Sequence, residues 1–297
     1  MKRRTLLLGG LAGAAGAAWL LRPSDQGAPH QPYFSALGDA LDGAGQATPR
    51  LVIDRHILRA NIKTLQKHIA DRFAYRIVAK SLPSVPLLQE VMEISGSNRL
   101  MLFHQPFINR VADALPHADV LLGKPMPVAA AAAFYRELGE TTFDHTRQLR
   151  WLVDTPARVQ QYGQLAEQLG QAMQLCIELD VGLHRGGVQG DRDLVAMLDG
   201  MTASSHLQFA GFMGYEPHVA KAASKFEGLV NPAVNFTAEL LRDRAMAQYT
   251  HYVDVARSHL GEQWPEDVVL NCGGSPTYQL YDHGDWPFNE LAAGSCL

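Results

Sequence analysis

Tyr75-Arg76-Ile77-Val78-Ala79-Lys80-Ser81-Leu82-Pro83-Ser84-Val85-Pro86 joins a short, mostly apolar run to a single amine and then to a helix start. Tyr75 to Ala79 has the length and composition of a buried strand. Ser84 stands where a helix cap belongs, and Pro86 falls in the first turn of a helix running to Ile94, where its missing N–H costs nothing. The unit is strand, turn, helix.

The same plan extends in both directions. Upstream, Leu51-Val52-Ile53 is predicted as a short strand, and Asp54 as the cap of a helix with Ile57, Leu58, Ile62, Leu65 and Ile69 on one face. Downstream, Arg99 to Phe103, Asp119 to Leu122, Arg150 to Val153, Leu175 to Leu179, Leu207 to Met213 and Val268 to Asn271 are predicted strands. Helical patterns separate most of them, the clearest from Thr155-Pro156 to Gln168 and from Phe236 to Leu260. Counted from Tyr75 that makes seven strands, with an eighth near Leu291, over roughly the 250 residues of a (β/α)8 TIM barrel. Regular alternation means parallel strands with helices outside. A doubly wound open sheet is the alternative, and the lack of a G-x-G-x-x-G after the first strands lowers it.

The composition suits a large core: 297 residues, 47% hydrophobic and 19% charged. Lys plus Arg is 26 against 30 for Asp plus Glu, a net charge of −4, with no basic block beyond the first residues, so a nucleic-acid partner is excluded. Cys176, Cys272 and Cys296 lie far apart and the 12 histidines are scattered, which leaves no disulfide framework and no metal motif.

The N-terminus reads as a separate object. Met1-Lys2-Arg3-Arg4 precedes a run of Leu, Ala and Gly to Leu21, the layout of an export signal or membrane anchor over residues 1–22. The arginine pair before Thr5-Leu6-Leu7-Leu8 resembles a twin-arginine signal, which implies the periplasm or inner membrane of a bacterium and membrane contact through this segment. Residues 23–47 are expected as a flexible linker and 48–297 as the barrel.

In a barrel the chemistry sits where strands end. Lys80 directly follows its strand, and an amine partly desolvated there has a depressed pKa and suits Schiff-base chemistry. Glu178-Leu179-Asp180-Val181-Gly182-Leu183-His184-Arg185-Gly186-Gly187 passes from a strand into a Gly-rich turn that carries a guanidinium, a partner for an anionic oxygen. Asn271-Cys272-Gly273-Gly274-Ser275-Pro276-Thr277 supplies glycine N–H groups and hydroxyls suited to a phosphate. Together they describe one ligand, with a phosphate, an anionic oxygen and a carbonyl awaiting a lysine. Gly214-Tyr215-Glu216-Pro217-His218 follows another strand and makes Tyr215 and His218 candidates for ring or substrate contact. His104 ends a strand and is expected at the rim.

With these motifs the chain resembles the fold-type III pyridoxal-phosphate enzymes with an alanine-racemase-type N-terminal barrel, most of all the D-serine dehydratase and D-threonine aldolase branch. The resemblance runs from Thr48 onward through Thr48-Pro49-Arg50-Leu51-Val52-Ile53-Asp54, Val78-Ala79-Lys80-Ser81, Asp180-Val181-Gly182 with Arg185-Gly186-Gly187-Val188, and Gly273-Gly274-Ser275-Pro276-Thr277. It implies pyridoxal 5'-phosphate bound covalently by Lys80, Arg185 near its phenolic oxygen, and Gly273, Gly274, Ser275 and Thr277 around its phosphate. It further implies a lyase acting on a small D-amino acid, with a racemase or a non-catalytic cofactor-binding barrel as alternatives, and a homodimer in the full-length family. The chain departs from the branch at Val78, where a histidine is frequent. The resemblance also implies a second, β-rich domain after the barrel, bearing the divalent-metal ligands of this branch and a tyrosine in the racemases. Gly294-Ser295-Cys296-Leu297 falls where that domain would start, so an incomplete enzyme is expected, with a metal only where that domain is present.

Overall fold

A computed structural model describes residues 31–46, 48–224 and 232–297. The export segment expected over residues 1–22 lies outside them. Chain contacts separate at Ile53 and Asp54 into two units. In the first, helix α1 (Pro32–Gly43) occupies most of the described part of the stretch expected as linker, with proline opening the helix and no buried residue. The strand expected at Leu51-Val52-Ile53 does not form. These side chains are 89%, 44% and 44% exposed and their backbone joins no ladder, so the apolar triplet lacks the partner that a strand requires. Among the described residues no helix is long and apolar enough to cross a membrane.

The second unit begins with α2 (Arg55–Ile69), capped as expected by Asp54, whose carboxylate accepts from the N–H groups of His56 and Ile57. Leu58, Ile62, Leu65 and Ile69 form its buried stripe. Ile57, expected on that stripe, is exposed because it lies one residue, about 100°, off the line these four define.

Every strand expected from Tyr75 onward is present within one or two residues. In chain order the elements are β1 (Ala74–Val78), α3 (Val85–Ser95), β2 (Arg99–Leu102), α4 (Gln105–Ala114), β3 (Asp119–Leu122), α5 (Val128–Glu137), α6 (His145–Gln148), β4 (Leu149–Val153), α7 (Pro156–Leu169), β5 (Met173–Leu179), α8 (Asp191–Thr202), β6 (Leu207–Gly214), α9 (Pro217–Ser224), α10 (Pro232–Leu260), β7 (Val269–Cys272) and β8 (Glu290–Ala293). The strands pair in sequence order, all parallel, and β8 closes on β1 with Ala74 opposite Glu290 and Ile77 opposite Ala293. This is the (β/α)8 barrel. Gly211 on β6 sits where the register with β5 shifts; a Cβ there would lie 1.9 Å from the Val269 carbonyl oxygen, so only glycine allows β6 and β7 to meet.

The lower half of the barrel holds a charged core that the sequence reading passed over. Arg76 on β1 is fully buried and donates to Glu290 on β8, to Asp119 on β3 through Nη2 at 2.6 Å, and to the carbonyls of Leu100 and Asp119 at 2.9 and 3.0 Å. Arg99 and Asn271 also donate to Glu290, and Arg150 to Asp119. Burial alone would raise both carboxyls, yet the guanidiniums hold Asp119 and Glu290 below their ordinary range. With the floor closed by this cluster, the opposite end is left to a ligand.

Candidate active site

Lys80 follows β1 on a single 3-10 turn, Ala79–Ser81. Lys80 is an exposed residue, and its Nζ stands 5.0 Å from the centroid of Phe103 at the end of β2. A cleft of about 670 Å³, open solvent at its mouth included, brings Lys80 together with Arg185, Tyr215, Gly273, Gly274 and Ser275. Residues up to two hundred positions apart thus reach one place because each ends a strand at the same rim.

Arg185 is set by a tight turn. Asp180, buried, accepts from the N–H groups of Gly182 and His184 at 3.0 and 2.9 Å, from His184 Nδ1 and from Gln189 Nε2. Burial would raise this carboxyl, and those donors hold it low. Gly187 packs where a Cβ would come within 2.7 Å of the Asp180 backbone, which accounts for the second glycine of the motif. The Arg185 guanidinium lies 5.0 Å above the Tyr215 ring and 3.6 Å from Glu178. Desolvation, with Glu216 adding to it, raises the Tyr215 phenol above its ordinary value, so it is a proton donor at neutral pH.

The glycine loop after β7 is organised differently from expectation. Gly273 and Gly274 line the cleft, but the Gly273 N–H donates to Glu216 at 3.2 Å and the Gly274 N–H to Thr277 Oγ1 at 3.1 Å. Thr277 is buried and turned away from the cleft, its hydroxyl donating to Glu216 at 2.6 Å. Glu216 also accepts from the Tyr281 hydroxyl at 3.0 Å and the Cys272 thiol at 3.2 Å. One buried carboxylate therefore organises the loop, and burial beside it pushes the Cys272 thiol well up. The Gly294 N–H is taken by Ser275 Oγ at 3.0 Å. What remains facing the cleft for an anion is Ser275 and, from the end of β8, Ser295. Loops after the seventh and eighth strands are the usual phosphate cradle of this architecture.

His218 and His104 do not line this cleft. His218 packs its ring 3.3 Å from where a Cβ of Gly182 would stand, and burial lowers its pKa. His104 precedes α4 on the rim of a separate apolar cleft that shares Lys80 and Phe103. Three functional candidates went unread in the sequence. Glu178 and Glu216 sat inside quoted motifs without a role, while Lys124 follows β3 as Lys80 follows β1 and lines the same cleft. The strand-end rule applied to Lys80 would have found it. Among the described residues no group of three or more His, Cys, Asp or Glu side chains is placed to hold a metal ion.

The family model described as alanine racemase, N-terminal domain, matches residues 53–297. No curated protein sequence matches the chain. Among solved structures, D-threo-3-hydroxyaspartate dehydratase from Delftia sp. HT23 is similar with a TM-score of 0.62 and 20% identity, over 84% of this chain and 60% of that one. D-threonine aldolase from Filomicrobium marinum gives 0.65 and 17%, over 84% and 62%. An alanine racemase of Clostridium difficile 630 gives 0.59 and 12%, over 80% and 58%. The chain thus spans about three fifths of the length of these proteins, and at such identities the likeness establishes the fold.

Proposed function

The chain belongs to the alanine racemase N-terminal domain family, and from that premise we propose that it is a pyridoxal-phosphate enzyme, a lyase acting on a D-amino acid through Lys80. The observation that carries the proposal is the single cleft shared by Lys80, Arg185, Tyr215 and Ser275. Its donor set fits the cofactor: an amine for the carbonyl, a guanidinium for the phenolic oxygen, and serines beside the glycine turn for the phosphate. The buried Asn271 Oδ1, on a residue lining the cleft, has no hydrogen-bond partner among the described residues, as a polar ligand in the cleft would require.

When bound, the cofactor supplies an electron sink for charge developing at the substrate Cα. Lys80 Nζ would hold the cofactor's carbonyl and, as a free amine, would serve as a base on its own side of the cleft. Tyr215 Oη, which lines the cleft and is kept protonated by burial, would donate the proton to a leaving β-hydroxyl. Phe103 and Met213 wall the cleft with apolar surface and limit water around the reacting atoms. Action on D-configured β-hydroxy amino acids draws support from the D-x-G-x-x-R-x-G-V motif and from two of the structural neighbours, whose names specify such substrates.

Two lysines line the cleft, so the test is a mapping experiment. Borohydride reduction of the loaded protein should place a phosphopyridoxyl group on Lys80, and release of ammonia from D-serine or of an aldehyde from D-threonine should identify the reaction. A label on Lys124 instead, or no visible absorbance on loading, overturns the proposal.

A further inference from the structure

Lys124 is the second amine of the cleft, and its surroundings give it a different task from Lys80. The Gly123 N–H still bonds the Leu102 carbonyl at 2.9 Å, so Lys124 is the first residue off the rim of β3. A Cβ on Gly123 would stand 2.2 Å from the tip of the Phe103 ring; the absent side chain lets that ring reach over the strand end. Lys80 and Lys124 consequently flank Phe103, one beyond β1 and the other beyond β3.

Lys124 Nζ is held by both oxygens of Glu178, at 2.7 and 3.0 Å. Glu178 is buried, and its only other charged neighbour among the described residues is Arg185 at 3.6 Å. Two cations therefore share one carboxylate, which leaves one positive charge uncompensated. Their side chains are 38% and 39% exposed, both on the cleft. An ammonium has three N–H groups, and with two directed at Glu178 the third has no partner among the described residues. The lysine is already oriented and partly desolvated, so an anion that meets it incurs little further ordering cost.

The order of strands around the barrel decides which anion. Ser275 and Ser295 end β7 and β8, Lys80 ends β1, and β2 and β3 come next. A cofactor with its phosphate at β7–β8, its carbonyl at Lys80 and its phenolic oxygen at Arg185 after β5 leaves Lys124 as the cleft cation without an assigned anion, and β3 stands diametrically opposite β7. We propose that Lys124, braced by Glu178, is the carboxylate anchor for the amino-acid substrate. This rests on the pyridoxal-phosphate reading above.

The experiment compares D-alanine with D-alaninamide, which keeps the amine and side chain and lacks the carboxylate. Each is titrated into the loaded full chain and followed by the change in visible absorbance. The expected result is that Lys124→Gln weakens D-alanine about tenfold or more and changes D-alaninamide less than twofold, while Lys124→Arg recovers part of the loss. The amide serves as the folding control within each variant. Equal losses for both compounds, or no loss for either, overturn the role of Lys124 alone. A wild-type chain that never acquires Lys80-linked absorbance overturns the underlying reading, and is recognised before any amine is added.

Discussion

Thr277 Oγ1 donates to Glu216 Oε1 across 2.6 Å, fixing the glycine loop after β7 to the segment that carries Tyr215. Glu216 accepts four donors from β7 and the segment after it and is fully buried, with no cation paired to it among the described residues. Glu216→Gln replaces an acceptor by an amide that cannot receive all four. Hydrogen bonds to a charged group are worth about 1.5–3 kcal/mol each, so the loop should loosen and cofactor affinity should fall roughly 10- to 100-fold. Titration of pyridoxal phosphate followed by absorbance measures this. Unchanged affinity would mean that the loop holds its shape without Glu216.

Tyr215 separates loading from chemistry. Its ring stacks beside Gly274, where a Cβ would come within 2.8 Å, and beneath Arg185, so Tyr215→Phe keeps both contacts and should load normally. Loss of the phenolic proton should lower turnover of a D-β-hydroxy amino acid by about 10²- to 10⁴-fold. Burial raises this phenol, so any alkaline limb that it contributes to the pH–rate profile should lie above its ordinary value of 10.0 and vanish in the variant.

The charged core below the site makes the barrel acid-sensitive. Asp119 and Glu290 have folded-state pKa values lowered from 3.8 and 4.5, so the unfolded chain takes up protons first as pH falls. Their stabilisation is complete above about pH 5 and is lost as pH drops through the ordinary range and then through the lowered values. Urea midpoints measured from pH 7 to pH 3 should fall along that course. Arg76→Met, which leaves buried Glu290 with Arg99 and half-buried Asp119 with Arg150 as their remaining cations, should cost up to about 3–5 kcal/mol at pH 7 and flatten the pH dependence.

We further propose that the arginine pair before the apolar run directs export. Cells expressing the intact chain should deliver it to the periplasm or inner membrane, and Arg3→Lys with Arg4→Lys should retain it in the cytoplasm. Fractionation with immunodetection reads the outcome; identical distribution of both forms would refute the signal.

The barrel was legible because its strands are short apolar runs that end abruptly in polar residues, as Ala79-Lys80 and Leu179-Asp180 show. Leu51-Val52-Ile53 has the same look and fails as a strand, since pairing depends on a neighbour that three residues cannot specify. That Lys80, Arg185 and Tyr215 stand at strand ends was readable from position, and they line one cleft, whereas the hydrogen bonds that engage Gly273, Gly274 and Thr277 were not readable. Which N–H faces a ligand is settled by Glu216, 57 residues earlier than Gly273, and local pattern carries no record of that. Arg76 was hidden for a related reason: one charge in an apolar strand looks like an edge residue until its partners on β3 and β8 are in place.

Arg76 and Glu290 are 214 positions apart. At the usual pace of about 5–20 residues per second, a ribosome needs roughly 10 to 40 s to supply the carboxylate after the guanidinium has emerged. Throughout that interval Asp119 and the Leu100 carbonyl can already meet the guanidinium, but the Glu290 carboxylate is absent and the β1 edge has no β8 to pair with. Closure of the barrel, by backbone pairing and by this ion pair alike, therefore waits for the last strand. Chains that pause during synthesis should remain open and sensitive to protease until residue 290 is made, and any chaperone contact should concentrate on that unsealed edge.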